Sequence, residues 1–316
     1  MRLKSGCPIE DVSMIDLITL KTWSSDQVIE TIDSGLEIKT KPEGYSEALQ
    51  GQTLAMLFQK TSTRTRASFE VGMTQLGGHA IFLDWRVTNF QLADLEDEAQ
   101  VLSRYADGIM ARMMSHDDLL KLSSGAEVPV INGCCDRYHP CQALGDLMTM
   151  KEVRGSLSGL HLVYVGVRNN VCNSLIAACV KAGVRITSVT PEVNGPSEDP
   201  ELIEDARSSG LLEETLDLSA AVADADFLYT DTWIDMEFFL DSAYEDEKNR
   251  RIEAFTPFQI NEALMAKTEA MVMHCLPAHK GYEVTEGVMA SPRCVAVDQA
   301  ENRMHIQKAI LVRLLG

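Results

Sequence analysis

The chain lacks what would tie it to a membrane, a metal or a nucleic acid. It has no run of about 18 apolar residues, the length a helix needs to cross a bilayer. Its opening Met1-Arg-Leu-Lys-Ser-Gly-Cys-Pro8 has no apolar stretch of the kind a secretory signal carries, which predicts a cytoplasmic protein. Basic residues are scarce: 28 Lys and Arg against 47 Asp and Glu give a formal net charge of −19. Such an excess repels phosphate backbones and anionic lipids, so neither a nucleic acid nor a membrane surface is an expected partner. The eight cysteines, at 7, 134, 135, 141, 172, 179, 275 and 294, show no paired C-x-x-C spacing. That argues against zinc and, in a long intracellular chain, against disulfides, so no metal is expected. Internal repeats and low-complexity linkers are also missing. The strand, turn and helix start at Leu162-Val-Tyr-Val-Gly166-Val-Arg-Asn-Asn-Val-Cys-Asn-Ser174 opens like a dinucleotide-binding unit, but the second and third glycines of G-x-G-x-x-G are absent. A nicotinamide cofactor is therefore not expected, nor is any other.

What is present suits a two-core enzyme. A chain of 316 residues with 45% apolar content can bury two domains of roughly 150 residues each. Short apolar runs alternate with helical stretches, which predicts parallel α/β layers. Strands are expected near Leu54–Phe58, His79–Leu83, Gly108–Met113 and Pro129–Ile131 in the first half. In the second half they are expected near His161–Val165, Arg185–Val189, Phe227–Thr230, Met271–Met273 and Cys294–Val297. A helix from Cys141 to Val153 leads into a change of domain, and the last helix is read from Asn302 to Leu315.

The most informative segment is Ser62-Thr-Arg-Thr-Arg66, which alternates hydroxyl and guanidinium between an apolar strand and a helix. A helix N-terminus offers unpaired N–H groups and the positive end of the helix dipole, both suited to an anion. Arginine adds a fixed fork that matches phosphate geometry. Arg112, ending the strand-like Gly108-Ile-Met110, can lean into the same site. The Tyr138-His-Pro-Cys-Gln142 loop then brings an imidazole and a carboxamide three residues apart, able to read a planar C(=O)NH2 group. His274-Cys-Leu-Pro277 stands at a strand end, and Gln299-Ala-Glu-Asn-Arg303 opens the terminal helix. Asn169 and Asn170 can reach a cleft at the carboxyl ends of strands, or one of them can simply bend its own turn. Asp231, after Phe227-Leu-Tyr-Thr230, can hold an ammonium or cap a helix.

With these residues in view, the chain resembles the transcarbamoylase family, and within it the ornithine carbamoyltransferases, collinearly from Asp16 to Leu315. The resemblance implies a fold of two doubly wound parallel-sheet domains linked by helices. Residues 1–147 would bind carbamoyl phosphate, with terminal helix 302–316 packing back on them, and residues 148–301 would bind the amino acid or amine. It implies a homotrimer with shared sites and transfer of a carbamoyl group to L-ornithine, giving L-citrulline, without a cofactor. Carried over by motif, Ser62, Thr63, Arg64 and Thr65 hold the phosphate and Arg112 bridges phosphate and carbonyl. Arg112, His139 and Thr65 stabilise the developing oxyanion. Gln142, the Leu276 carbonyl and Arg303 fix the carbamoyl amide, and Cys275 and Asp231 flank the attacking amine. Asn169, Asn170, Asp231, Asp235 and Met236 contact the amino acid. His274 would point away from Cys275 along an extended strand, which disfavours a thiol nucleophile.

Three departures from the family pattern stand out. Asp235-Met-Glu237 replaces the family's Ser-Met-Gly, leaving open a different acceptor: an N-acylated ornithine, lysine, a shorter diamino acid or a diamine. The Asp84–Phe90 loop is unusual and could reach a neighbouring subunit's site. Val167 stands where many ornithine enzymes carry an Asp. A non-catalytic descendant of the fold has no physical reason to keep Arg64, Arg112, His139, Gln142, Cys275 and Arg303 together.

Overall fold

The computed structural model describes residues 16–234, 239 and 242–316. Two parallel sheets organise the chain. The first takes β1 (Thr53–Phe58), β2 (His79–Asp84), β3 (Gly108–Arg112) and β4 (Val130–Cys134), with helices α1 (Ser25–Thr40), α2 (Thr63–Gln75), α3 (Leu95–Leu102) and α4 (His116–Gly125). Helix α5 (Pro140–Arg154) leads to the second sheet, made of β5 (His161–Arg168), β6 (Arg185–Val193), β7 (Leu212–Glu214), β8 (Phe227–Thr230) and β9 (Met271–His274). Its helices are α6 (Asn170–Ala182), α7 (Pro200–Ser208), α8 (Leu218–Ala221), α9 (Glu245–Phe255), α10 (Glu262–Met265) and α11 (Glu286–Met289), and α12 (Ala296–Leu315) closes the chain.

The first sheet runs β2-β1-β3-β4 and the second β7-β6-β5-β8-β9, with every pairing parallel. Central strands β1 and β5 are buried along nearly their whole length, which explains why they read as continuous apolar runs rather than alternating ones. Strand β2 is an edge, and its exposure alternates.

Two expectations need correction. Cys294–Val297 is no strand: Cys294 makes a single bridge to Val272, and α12 already starts at Ala296, six residues before the expected Asn302. Strand β7 was not anticipated, because it is three residues long, mostly exposed and carries two glutamates.

Both sheets change winding direction at one place, between β1 and β3 in the first and between β5 and β8 in the second. In open α/β sheets that is where a crevice opens at the carboxyl ends of the strands. Helix α12 joins the halves by packing on α1, α2 and α5 and touching β9. Its approach to α5 is close because of Gly145, where a Cβ would come within 3.3 Å of Arg303 Cγ and 3.4 Å of Ile306 Cγ2. Helix α5 ends on Gly155, whose φ of +81° suits the left-handed cap that only glycine adopts without strain.

Candidate active site

The two switch points face each other across a cleft of about 390 Å³. On the first side, β1 delivers the chain to Ser62, the N-cap of α2, whose Oγ accepts from the Thr65 N–H at 3.2 Å. This leaves Ser62, Thr63 and Arg64 lining the cleft at the positive end of a 13-residue helix. Arg112, the last residue of β3, enters from the neighbouring strand end, with Nη1 3.4 Å from the Gly133 carbonyl. His139 caps α5 and Gln142 lies in its first turn, so the expected loop is already helical from Pro140. Proline suits that first position, where no N–H partner is needed. Arg303 reaches in from α12, donating to Gln142 Oε1 and Thr65 Oγ1, both at 2.9 Å. Thr65 itself is fully buried behind the cleft, held by Arg303 and by the Ser62 hydroxyl at 3.0 Å.

From the second side come Asn169 and Asn170 after β5, Asp231 after β8, and Cys275 and Leu276 after β9. Asn169 plays two parts. Its Oδ1 caps α6 by accepting from the N–H groups of Val171 and Cys172 at 3.0 and 3.1 Å, while Nδ2 donates to Asp231 Oδ2 at 2.8 Å. Asn170 donates to the Cys135 carbonyl and to Cys134 Sγ, a link between the halves. Asp231 caps no helix; it accepts from Asn169, from its neighbour's Thr232 N–H at 2.8 Å and from Cys275 Sγ at 2.8 Å. The Leu276 carbonyl accepts from Arg64 Nη2, again across the halves. Asp235 and Met236 lie outside the described residues.

The electrostatics are those of an anion site. Lys60, Arg64, Arg112 and Arg303 all line the cleft of a chain with net charge −19. Among the described residues, Nε of Arg64, Arg112 and Arg303 and Nδ1 of His139 are buried without a hydrogen-bond partner. Buried polar groups of this kind are costly unless something pairs with them. Burial first, then the charges of Arg303, Arg112, Lys60 and Arg64, hold His139 well below the usual imidazole range, so it is neutral. Burial and the adjacent Asp231 push the Cys275 thiol well above its usual range, so it donates as a thiol rather than attacking as a thiolate. His274 is engaged elsewhere: Nδ1 accepts from the Leu276 N–H at 2.8 Å and Nε2 lies 3.1 Å from the buried Glu283. Asp231, His274 and Cys275 bring three ligand types within 4.8 Å, but both His274 nitrogens are already committed.

Sequence reasoning passed over Lys60, Cys134 and Thr232, which also line the cleft. Lys60 sits two residues before Ser62 and is legible in hindsight as part of the same loop. Cys134 and Thr232 carry no signal beyond standing at or just beyond strand ends.

The arrangement can seat a phosphate on α2, a planar amide against His139 and Gln142, and an amine beside Asp231. The model of the carbamoyl-P binding domain of aspartate/ornithine carbamoyltransferase matches residues 16–152, and that of the Asp/Orn binding domain matches 158–314. An ornithine carbamoyltransferase from Thermococcus kodakarensis is 48% identical over 312 residues, covering 95% of this chain and 96% of its own. Another, from Haloquadratum walsbyi, is 45% identical over 305 residues, covering 95% and 98%. The solved ornithine carbamoyltransferase from Pyrococcus furiosus superposes with a TM-score of 0.87 at 42% identity, covering 95% of this chain and 97% of its own. With both halves matched and the cleft between them furnished from each, this chain belongs to the aspartate/ornithine carbamoyltransferase family.

Proposed function

We propose that the protein transfers the carbamoyl group of carbamoyl phosphate to the side-chain amine of L-ornithine, giving L-citrulline and phosphate. One observation carries this reading. Arg64, Arg112, His139, Gln142, Arg303 and the Leu276 carbonyl converge on one cleft whose far wall is Asn169, Asn170, Asp231 and Cys275. The ornithine carbamoyltransferases that resemble the chain over nearly its whole length support the choice of acceptor.

In this reading the phosphate sits on the N-terminus of α2, held by Ser62, Thr63 and Arg64, with Lys60 adding charge. Thr65 serves by fixing Ser62 and Arg303. Arg112 spans the phosphate and the carbonyl oxygen, and neutral His139 donates to that oxygen as negative charge develops on it. Gln142 Oε1 and the Leu276 carbonyl accept from the carbamoyl NH2. Asn169 and Asn170 receive the amino acid head group, with Asp235 and Met236 completing its site. Asp231, oriented by Asn169 and Cys275, draws in the amine as an ammonium. The ammonium first gives up one proton to solvent, since only the neutral amine can attack. As its N–C bond forms and the C–O bond to phosphate breaks, the amine sheds a second proton, for which the departing phosphate is the natural acceptor. Holding both substrates at one angle converts the encounter into an intramolecular step.

On this reading the described residues up to 147, together with α12, make up the carbamoyl phosphate domain, and the chain from 148 to the start of α12 makes up the amino acid domain. The protein is a cytoplasmic homotrimer with shared sites that serves arginine biosynthesis. Among the described residues β2 is an edge strand, and exposed apolar Ile81, Val87 and Leu92 nearby support an interface there. The test is phosphate release from carbamoyl phosphate across ornithine, lysine, N-acetylornithine, N-succinylornithine, 2,4-diaminobutyrate and putrescine. Ornithine is expected to turn over far faster than the rest. A faster rate with another amine would overturn the choice of acceptor and point to Asp235-Met236-Glu237 as its cause.

A further inference from the structure

We propose that Asp146 is a positioning residue for the carbamoyl group: one buried carboxylate sets both acceptors, Gln142 Oε1 and the Leu276 carbonyl, that receive the donor's NH2. This deepens the transcarbamoylase reading and rests on it.

Asp146 lies on α5 one turn beyond Gln142 and is fully buried. Its Oδ1 accepts from Gln142 Nε2 and from Gln299 Nε2, each at 2.7 Å. A carboxamide can turn over, exchanging its oxygen and NH2 within nearly the same shape. At Gln142 that freedom is removed from both ends. The NH2 faces a carboxylate oxygen, and Oε1 faces the Arg303 guanidinium at 2.9 Å, which can only donate. The acceptor of Gln142 therefore stays on the side of Arg303, another residue of the cleft wall.

Gln299 carries a second arm. Its Oε1 accepts from the His274 backbone N–H at 2.9 Å, and His274 Nδ1 accepts from the Leu276 N–H at 2.8 Å. Leu276 has φ +57°, a left-handed backbone that leucine adopts only when its surroundings impose it. The two acceptors come from different halves of the molecule, yet both trace back to Oδ1 of one side chain.

Simple core filling does not account for this residue. Burial pushes the Asp146 carboxyl up to about 7, and an apolar side chain of similar volume would pack without that desolvation. What the carboxylate supplies is an acceptor for two amides at once.

Acetyl phosphate carries CH3 where carbamoyl phosphate carries NH2, so the ratio of their dissociation constants reads these two acceptors. Binding of inorganic phosphate reads the phosphate grip separately. Wild type is expected to prefer carbamoyl phosphate by at least about tenfold, since a site built to receive a donor rejects an analogue lacking it. In Asp146→Leu that preference is expected to fall about tenfold, with phosphate affinity changed less than about twofold. Asp146→Asn keeps an acceptor oxygen for both amides and is expected to hold the preference within about threefold of wild type. A preference unchanged in Asp146→Leu, lost equally in both variants, or lost together with phosphate binding overturns the proposal. If Asp146→Leu does not fold, Gln299→Leu decides: it cuts the Leu276 arm, and an unchanged preference there is equally fatal. A wild type that binds acetyl phosphate as tightly as carbamoyl phosphate overturns the transcarbamoylase reading itself.

Discussion

Arg64 does two jobs, lining the anion cleft beside Arg112 and donating to the Leu276 carbonyl from the other half. Removing it takes away a strut between the halves and, on the proposed reading, a charge-assisted donor to the phosphate. Arg64→Ala is expected to weaken carbamoyl phosphate binding at least about 100-fold by calorimetry. Arg64→Lys should recover little of it, because an ammonium cannot reproduce the planar fork. Near-normal binding in Arg64→Ala would remove the phosphate site from α2. At Asp146 the consequence concerns pH and stability. Its carboxyl is held at about 7 by burial, against 3.8 for an unperturbed aspartate. Below about pH 4 the group is neutral folded or unfolded, and the folded state bears no penalty. As pH rises from about 4 to 7 the unfolded chain ionises and the folded chain resists, so stability is lost across that window. Asp146→Asn removes the titration. Thermal melts of the two proteins should converge near pH 4, and the variant should melt higher at pH 8.

At the scale of elements, the approach of α12 to α5 places Arg303 beside Gln142. Gly145→Val would drive a branched side chain into Arg303 and Ile306, at a cost of about 1–3 kcal/mol. The displaced guanidinium should also raise the KM for carbamoyl phosphate, and a variant destabilised with an unchanged KM would show that Arg303 is held some other way. Elements also explain what the sequence made legible. Ser62, Thr63 and Arg64 were legible as cleft residues because local chemistry and helix start coincide there, and Ser62 is indeed the cap, whereas Thr65 is buried behind the cleft and Arg66 pairs with Glu70 outside it. Strands β1 and β5 were readable as unbroken apolar runs because central parallel strands are covered on both faces. Cys294–Val297 misled for the same reason: an apolar run that ends a bridge and begins a helix looks like a strand when only hydrophobicity is counted. For Asn169 the two readings offered as alternatives proved compatible: its Oδ1 caps α6 while its Nδ2 donates to Asp231 in the cleft. Asp146 gave no signal, since its partners Gln142 and Gln299 are 157 residues apart and meet only through the packing of α12.

Across the whole molecule, a net charge of −19 is spread over a surface that must repel itself. Moderate potassium chloride is expected to raise the melting temperature by screening that repulsion, and a melting temperature that falls with salt would mean surface ion pairs dominate instead. The cationic cleft has a further effect, on how the substrates arrive. A dianionic donor diffusing inward crosses a negative halo before it meets Lys60, Arg64, Arg112 and Arg303, whereas a cationic amino acid is drawn through the same halo toward Asp231. The two encounters therefore respond oppositely to ionic strength: salt speeds capture of the donor and slows that of the acceptor.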